Sequence, residues 1–100
     1  MYVGALTLDL VLGDVRSLKE KRSLVRPILA ELRRRFDVAA AEAGHLDLHR
    51  RTLLGVAVVS ADRRHCTEVL EACERLVAGR PEVDLLSARQ QFLSSTDDEE

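Results

Sequence analysis

The chain has very few aromatic residues and no long apolar run. Only one tyrosine, two phenylalanines and no tryptophan occur among its 100 residues. A sheet that stacks nucleotide bases needs several exposed aromatic rings, so the composition does not predict base stacking. No apolar stretch approaches the roughly 18 residues of a membrane-spanning helix, and the first residues alternate like a strand rather than resembling a signal peptide. We therefore expect a cytoplasmic protein without a membrane partner.

Features of catalysis and covalent cross-linking are also scarce. Cys66 and Cys73 are seven positions apart on a predicted helix, about 10 Å along its axis, which is too far for a disulfide. His65 precedes Cys66, but neighbouring side chains on a helix point about 100° apart, so this imidazole is not placed to activate the thiol. The sequence contains no glycine-rich phosphate loop, nucleophile elbow or paired-cysteine metal motif. We expect buried cysteines and a protein that is not an enzyme and carries no cofactor.

Charge is unevenly distributed along the chain. The formal net charge is −2, from 15 Lys and Arg against 17 Asp and Glu. Residues 1–64 hold twelve basic and eight acidic residues, a balance of +4, whereas residues 65–100 hold three and nine, a balance of −6. This asymmetry is compatible with an anionic partner for the basic part and equally with simple solubility.

Hydrophobic periodicity predicts six elements followed by a tail. A period of two residues indicates strands and a period of 3.6 residues indicates helices. The predicted order is a strand at Tyr2–Leu12, a helix at Ser17–Phe36, a weak strand at Phe36–Ala43, a strand at Thr52–Ser60, a helix between Asp62 and Gly79, and a strand at Val83–Phe92. This order predicts an α+β, ferredoxin-like βαββαβ sandwich over residues 1–93, with a four-stranded antiparallel sheet and both helices on one face. Residues 94–100 are expected to form an acidic disordered tail.

The first helix carries a core stripe and a basic ridge on different sides. Ser17 and Glu20 form a capping-box pattern that marks its start. Pro27 lies mid-helix, and we expect either a kink there or a restart of the helix near Ser23. The basic residues that we expect to bind nucleic acid are Lys19, Arg22, Arg26 and Arg33 on one flank, extended by Arg34. The alternative is that this charged stripe is only the solvated side of the helix.

The sheet face opposite the helices is unusually apolar. Even-numbered leucines of the first strand are predicted to face the helices. The other face then carries small apolar residues, namely Val3, Ala5, Val11, Ala57 and Val59. A partner, such as a second copy bound through this face or an edge strand, would cover them. Alternatively, long neighbouring side chains cover the face within the monomer.

Several blocks of the sequence resemble one family. They are residues 17–23 (SLKEKRS), 33–36 (RRRF), 41–42 (AE), His45, 47–48 (DL), Arg51 and 54–60 (LGVAVVS). Together they resemble the YlxP-like family, also called domain of unknown function 503, over nearly the whole chain. The resemblance implies a small bacterial protein of ferredoxin-like fold without an established role. Because genes of this family often lie near that of ribosome-binding factor A, it also implies an association with RNA or ribosome maturation.

A further group of polar residues lies between the second and third strands. Glu42, His45, Asp47 and His49 are spaced closely, and an extended segment would place the last three on one side, as in a three-ligand metal site. A polar hairpin loop would use the same residue types. Three hypotheses therefore remain: an RNA- or ribosome-associated binding module, a protein-interaction or regulatory homodimer, and a metal site in this loop.

Overall fold

The computed structural model describes residues 1–95 and confirms the predicted fold. Its elements are β1 (Tyr2–Leu12), α1 (Leu18–Arg35), β2 (Ala39–Gly44), β3 (Arg51–Ser60), α2 (Arg63–Ala78) and β4 (Val83–Ser94). The four strands form one antiparallel sheet in the order β2-β3-β1-β4. Strands β3 and β1 thus lie at the centre, with β2 and β4 at the edges. This arrangement is the ferredoxin-like α+β fold.

Two strand boundaries differ from the prediction by two or more residues. β2 begins at Ala39 rather than Phe36, because Phe36 is the C-cap of α1 and its amide donates to the Leu32 carbonyl. β4 continues to Ser94, and the Ser95 amide donates to the Met1 carbonyl at 3.1 Å. Ser94, expected in the tail, therefore belongs to the last strand. The rest of the predicted acidic tail, residues 96–100, lies outside the described residues.

Helix α1 begins as its capping residues predict. The Ser17 hydroxyl accepts a hydrogen bond from the Glu20 amide at 3.1 Å, and the Glu20 carboxylate accepts one from the Arg16 amide at 2.8 Å. The carboxylate thus reaches one residue further back than in the usual capping box. Of the two alternatives at Pro27, the restart near Ser23 is wrong, since the helix is continuous across Pro27. Pro27 lies at an exposed position, where its ring faces solvent and leaves the buried stripe intact.

The core lies between the sheet and the two helices. Leu6, Leu8, Leu10 and Leu12 of β1 are at most 1% exposed and face the helices as predicted. Both cysteines are free and buried in α2, in agreement with the sequence. Helix α1 packs against β2, whereas α2 packs against β1, β3 and β4. As a result, α1 lies over the β2 side of the sheet. No helix in residues 1–95 is long and apolar enough to cross a membrane.

Candidate nucleic-acid interface

Three of the predicted binding residues form an exposed positive row on α1. Lys19, Arg22 and Arg26 are all exposed. Within residues 1–95 none of the three side chains forms an ion pair. They span seven positions, about 10 Å along the helix axis, and lie on the same flank. We call these three residues the α1 ridge. Its charges are available to an anionic ligand.

The other two predicted residues are engaged within the chain. The Arg33 guanidinium donates from both Nε and Nη2 to the carbonyl of Ala40 in β2, with an Nε distance of 3.1 Å. Arg34 lies on the other flank, where its Nη2 is 3.9 Å from Glu31 Oε2. Arg33 therefore joins the end of α1 to the edge strand of the sheet. Its position at the ridge is as predicted, but two of its donors are already used.

Most other arginines also have partners within the chain. Arg16 pairs with Asp14, Arg35 with Glu31, and Arg80 with both Glu31 and Glu82. The Arg50 Nε donates to the Gly13 carbonyl, and the Arg63 guanidinium lies over the Phe92 ring. Arg64, Arg75 and Arg89 are exposed, but they are spread over α2 and β4. In the described part of the chain, the α1 ridge thus concentrates positive charge that is not neutralised locally.

A buried ion pair anchors the start of α1 to the β2–β3 hairpin. The side chain of Lys21 is only 2% exposed, and its Nζ lies 2.8 Å from Glu42 Oε2. The same ammonium donates to the His45 carbonyl at 2.6 Å, and the buried Thr52 hydroxyl donates to Glu42 Oε2 at 2.8 Å. Sequence reasoning missed this network. The signal was present, because Lys21 precedes Val25 by four positions and therefore lies on the core stripe.

A second polar contact fixes the same hairpin from the opposite face of the sheet. The Arg51 Nη2 donates to both carboxylate oxygens of Asp9, at 2.8 and 2.9 Å. The His45 Nε2 lies 3.5 Å from Asp9 Oδ1, and His45 has a φ of 56°, in the left-handed region. Asp9, His45 and Arg51 are therefore already engaged with one another where the hairpin leaves the sheet.

The hairpin does not have the geometry expected of a metal site. The assumption that His45, Asp47 and His49 lie on an extended segment is wrong: β2 ends at Gly44, and the Leu48 amide donates to the His45 carbonyl in a turn. Glu42 is bound to Lys21, whereas Asp47 and His49 are exposed. Among residues 1–95, no group of three or more His, Cys, Asp or Glu side chains is arranged to hold a metal ion.

Comparison with known proteins identifies the family. The family model described as "Protein of unknown function (DUF503)" matches residues 3–90. The chain belongs to the DUF503 family. It is also similar to the "Uncharacterized protein YlxP" of Bacillus subtilis (strain 168), with 29% identity over 90 residues that cover 90% of this chain and 98% of that protein. The family resemblance seen in the sequence is thus confirmed. Neither description of these DUF503 proteins names a ligand or a reaction.

Proposed function

We propose that this member of the DUF503 family is a cytoplasmic, non-catalytic module that binds structured RNA, such as ribosomal RNA, through the α1 ridge. The observation that carries the proposal is that Lys19, Arg22 and Arg26 are exposed together and form no ion pair within residues 1–95. Arginine suits phosphate because its planar guanidinium presents paired donors. The association with ribosome maturation that the family resemblance implies also supports RNA as the ligand.

Recognition in this proposal depends on the phosphate backbone and on RNA shape. All three aromatic residues, Tyr2, Phe36 and Phe92, are partly buried against the core, so their rings are engaged in packing. Base stacking on these rings would require them to leave the core. Three phosphate contacts along the ridge would instead make the logarithm of the binding constant fall with log salt, at roughly 0.7 to 0.9 per contact.

The test compares two double charge reversals of equal size. Arg22→Glu/Arg26→Glu reverses two ridge charges, whereas Arg64→Glu/Arg75→Glu makes the same change on exposed positions of α2. Binding to a structured ribosomal RNA fragment is measured by fluorescence anisotropy at about 50 and about 200 mM salt, a range over which phosphate contacts weaken strongly. We expect the ridge variant to lose salt-sensitive binding and the α2 variant to retain most of it.

Two results would contradict the proposal. Equal losses in both variants would mean that net charge, not the ridge, determines binding. Absence of binding by the unmodified protein at the lower salt concentration would exclude RNA as a ligand of this surface. Far-UV circular dichroism of each variant separates these outcomes from unfolding. Isolated ribosomal subunits serve as a second ligand in the same assay.

A second candidate function is a protein-interaction or regulatory module that binds no nucleic acid. Its simplest form would be a homodimer that forms through the open sheet face or an edge strand. The observation that favours it is an apolar patch opposite the helices. Val59 and Leu93 are 63% and 67% exposed there. Such a contact would depend on apolar burial, so its affinity would change little with salt.

A further inference from the structure

The open sheet face contains a trough of small residues. The strand register places outward-facing residues of β2, β3 and β1 in two adjacent rows. One row is Ala39, Ala57 and Ala5, and the next is Ala41, Gly55 and Thr7. These rows line a depression of about 360 Å³ that is open to solvent. Because their side chains are short, the backbone of the sheet forms its floor.

A ridge of larger apolar residues runs directly beside the trough. Val59, Val3 and Leu93 form the next row, one strand repeat from the alanines. Successive rows on one face lie about 7 Å apart, since they are separated by two residues along each strand. Val59 and Leu93 are mostly exposed, as is Met1, which follows them at the end of the sheet with 61% exposure. The face thus carries a protrusion of one row next to a recess of two rows.

The trough and the ridge are nearly free of charge. Among the outward-facing residues of these three rows in the described chain, only Arg89 of β4 is charged. The charged pair on this face, Asp9 and Arg51, lies beyond the trough and is internally matched. A partner for this region therefore needs an uncharged, apolar surface. The region itself has this property.

From this pattern we infer that the trough and ridge of one chain bind the ridge and trough of a second copy. A two-fold axis running across the strands at the level of Ala5 and Ala57 places Val59 of each copy over Gly55 of the other and Val3 over Thr7. The same axis places Leu93 over Arg89 at the exposed β4 edge, where the aliphatic stem of the arginine can pack against it and the guanidinium can reach solvent. The contact is isologous, so each ridge-and-trough interaction occurs twice. Facing sheets pack about 10 Å apart with their side chains interdigitated, which a ridge in a trough allows.

The size of the face fits a weak, reversible dimer. The three rows from Val3 to Thr7 extend about 20 Å, and the sheet there is three to four strands, about 14–19 Å, wide, which gives roughly 350 Å² of flat area per copy. A pair would cover about 700 Å² of flat sheet in total, which is the size of a weak, transient contact. We therefore expect dissociation in the submillimolar range.

The sheet edges offer weaker alternatives to the face. At β2, Arg33 occupies the carbonyl of Ala40. At β4, the pairing with β1 is interrupted by a register shift between Asp9 and Leu10, opposite Leu86. Both features protect an edge strand from pairing with another chain. The open face, with a single charged residue in its three rows, is the better surface for a second copy.

This inference rests on the second candidate function and is independent of RNA binding, because α1 lies on the other side of the sheet. Sedimentation velocity between about 10 µM and 1 mM covers the affinities expected of a small interface. The test variants are Ala57→Arg in the trough and Val59→Lys on the ridge. Ala78→Arg adds the same charge at an exposed position of α2 and serves as control.

We expect the unmodified chain and the Ala78→Arg control to dimerise with the same affinity, and each face variant to weaken the dimer at least tenfold. An unmodified chain that remains monomeric at about 1 mM would overturn the inference. So would a dimer that persists in both face variants, since its interface would then lie elsewhere, for example along β4. Val59 is largely exposed, so Val59→Lys remains informative even if Ala57→Arg perturbs the sheet. The α1-ridge variant Arg22→Glu/Arg26→Glu, which leaves the sheet face unchanged, should dimerise with the affinity of the unmodified chain.

Discussion

Neutralising Glu42 is predicted to destabilise the fold strongly, although Glu42 belongs to a short edge strand. Its carboxylate is the anionic partner of the buried Lys21 ammonium and also accepts the Thr52 hydroxyl. Glu42→Gln keeps the size and one oxygen acceptor of the side chain but removes its charge. The substitution therefore isolates the ionic part of the network. It leaves Lys21 charged in a position where its side chain is 2% exposed.

The expected cost follows from that burial. Removing one partner of a buried ion pair typically costs about 3–5 kcal/mol, because the remaining charge is desolvated without compensation. Glu42 is 21% exposed and glutamine retains a hydrogen-bond acceptor, so we expect the lower end, about 3 kcal/mol. For a domain of this size that change lowers the melting temperature by roughly 12–24 °C. It is a large part of a typical total stability of about 5–15 kcal/mol.

A double-mutant cycle with Lys21→Met separates charge from packing. In the Lys21→Met background no ammonium remains to be left unpaired, so Glu42→Gln should cost less than about 1 kcal/mol. Urea unfolding followed by far-UV circular dichroism measures all four proteins, since the chain has no tryptophan for fluorescence. Because the pair is shielded from solvent, we expect the difference between the two backgrounds to persist at about 1 M salt.

Two outcomes would refute this reasoning. A cost below about 1 kcal/mol for Glu42→Gln in the unmodified chain would mean that the Lys21 ammonium is hydrated. An equal cost in both backgrounds would mean that the effect comes from Thr52 or from the strand rather than from the ion pair. In either case the network would not anchor the hairpin to α1.

Two further predictions concern single residues. Burial raises the pKa of the Cys73 thiol from 9.0 to about 11, so the unfolded chain ionises first as pH rises. The neutral thiol contributes its full stabilisation below pH 9, and up to about 2–3 kcal/mol of the free energy of unfolding is lost as the pH rises towards 11. Urea unfolding across this pH range should show a smaller alkaline loss of stability for Cys73→Ala than for the unmodified chain. Equal losses in the two proteins would contradict the assignment to Cys73. Pro27→Ala supplies an amide for the Ser23 carbonyl at an exposed helical position, which stabilises the folded state, although the unfolded chain gains entropy. The net effect should be a stabilisation of about 2 kcal/mol. A lower melting temperature of the variant would show that proline is required there.

The fold was predictable because its elements are marked locally. Strict alternation in Tyr2–Leu12 defines the central strand, and Ser17 and Asp62 are both N-caps, as predicted. Element order then leaves few topologies for a sheet with two crossovers. The start of β2 was misplaced because its alanines have little strand propensity, so its position depends on pairing with β3.

The candidate binding surface was only partly predictable, because a helical wheel gives the direction of a side chain but not its partners. It placed Lys19, Arg22, Arg26 and Arg33 on one flank. Only the tertiary structure shows that Arg33 is turned towards the Ala40 carbonyl of the edge strand. The sequence also left open whether residues 45–49 are extended or form a polar hairpin loop, and only the structure shows the turn after Gly44. Long-range pairing decides which polar side chains remain available.

Helical geometry gives the polar residues of the segment 17–23 different roles. Ser17 and Glu20 satisfy amides at the start of α1, Lys19 and Arg22 face solvent, and Lys21 enters the core. Lys19 and Lys21 are two positions apart and therefore point about 200° away from each other. A charge reversal at Lys21 would unfold the start of α1 and would lower the proposed RNA binding for that reason, whereas a reversal at Arg22 changes only the surface. Loss of binding is therefore evidence for a phosphate contact only at positions whose substitution leaves the melting temperature unchanged.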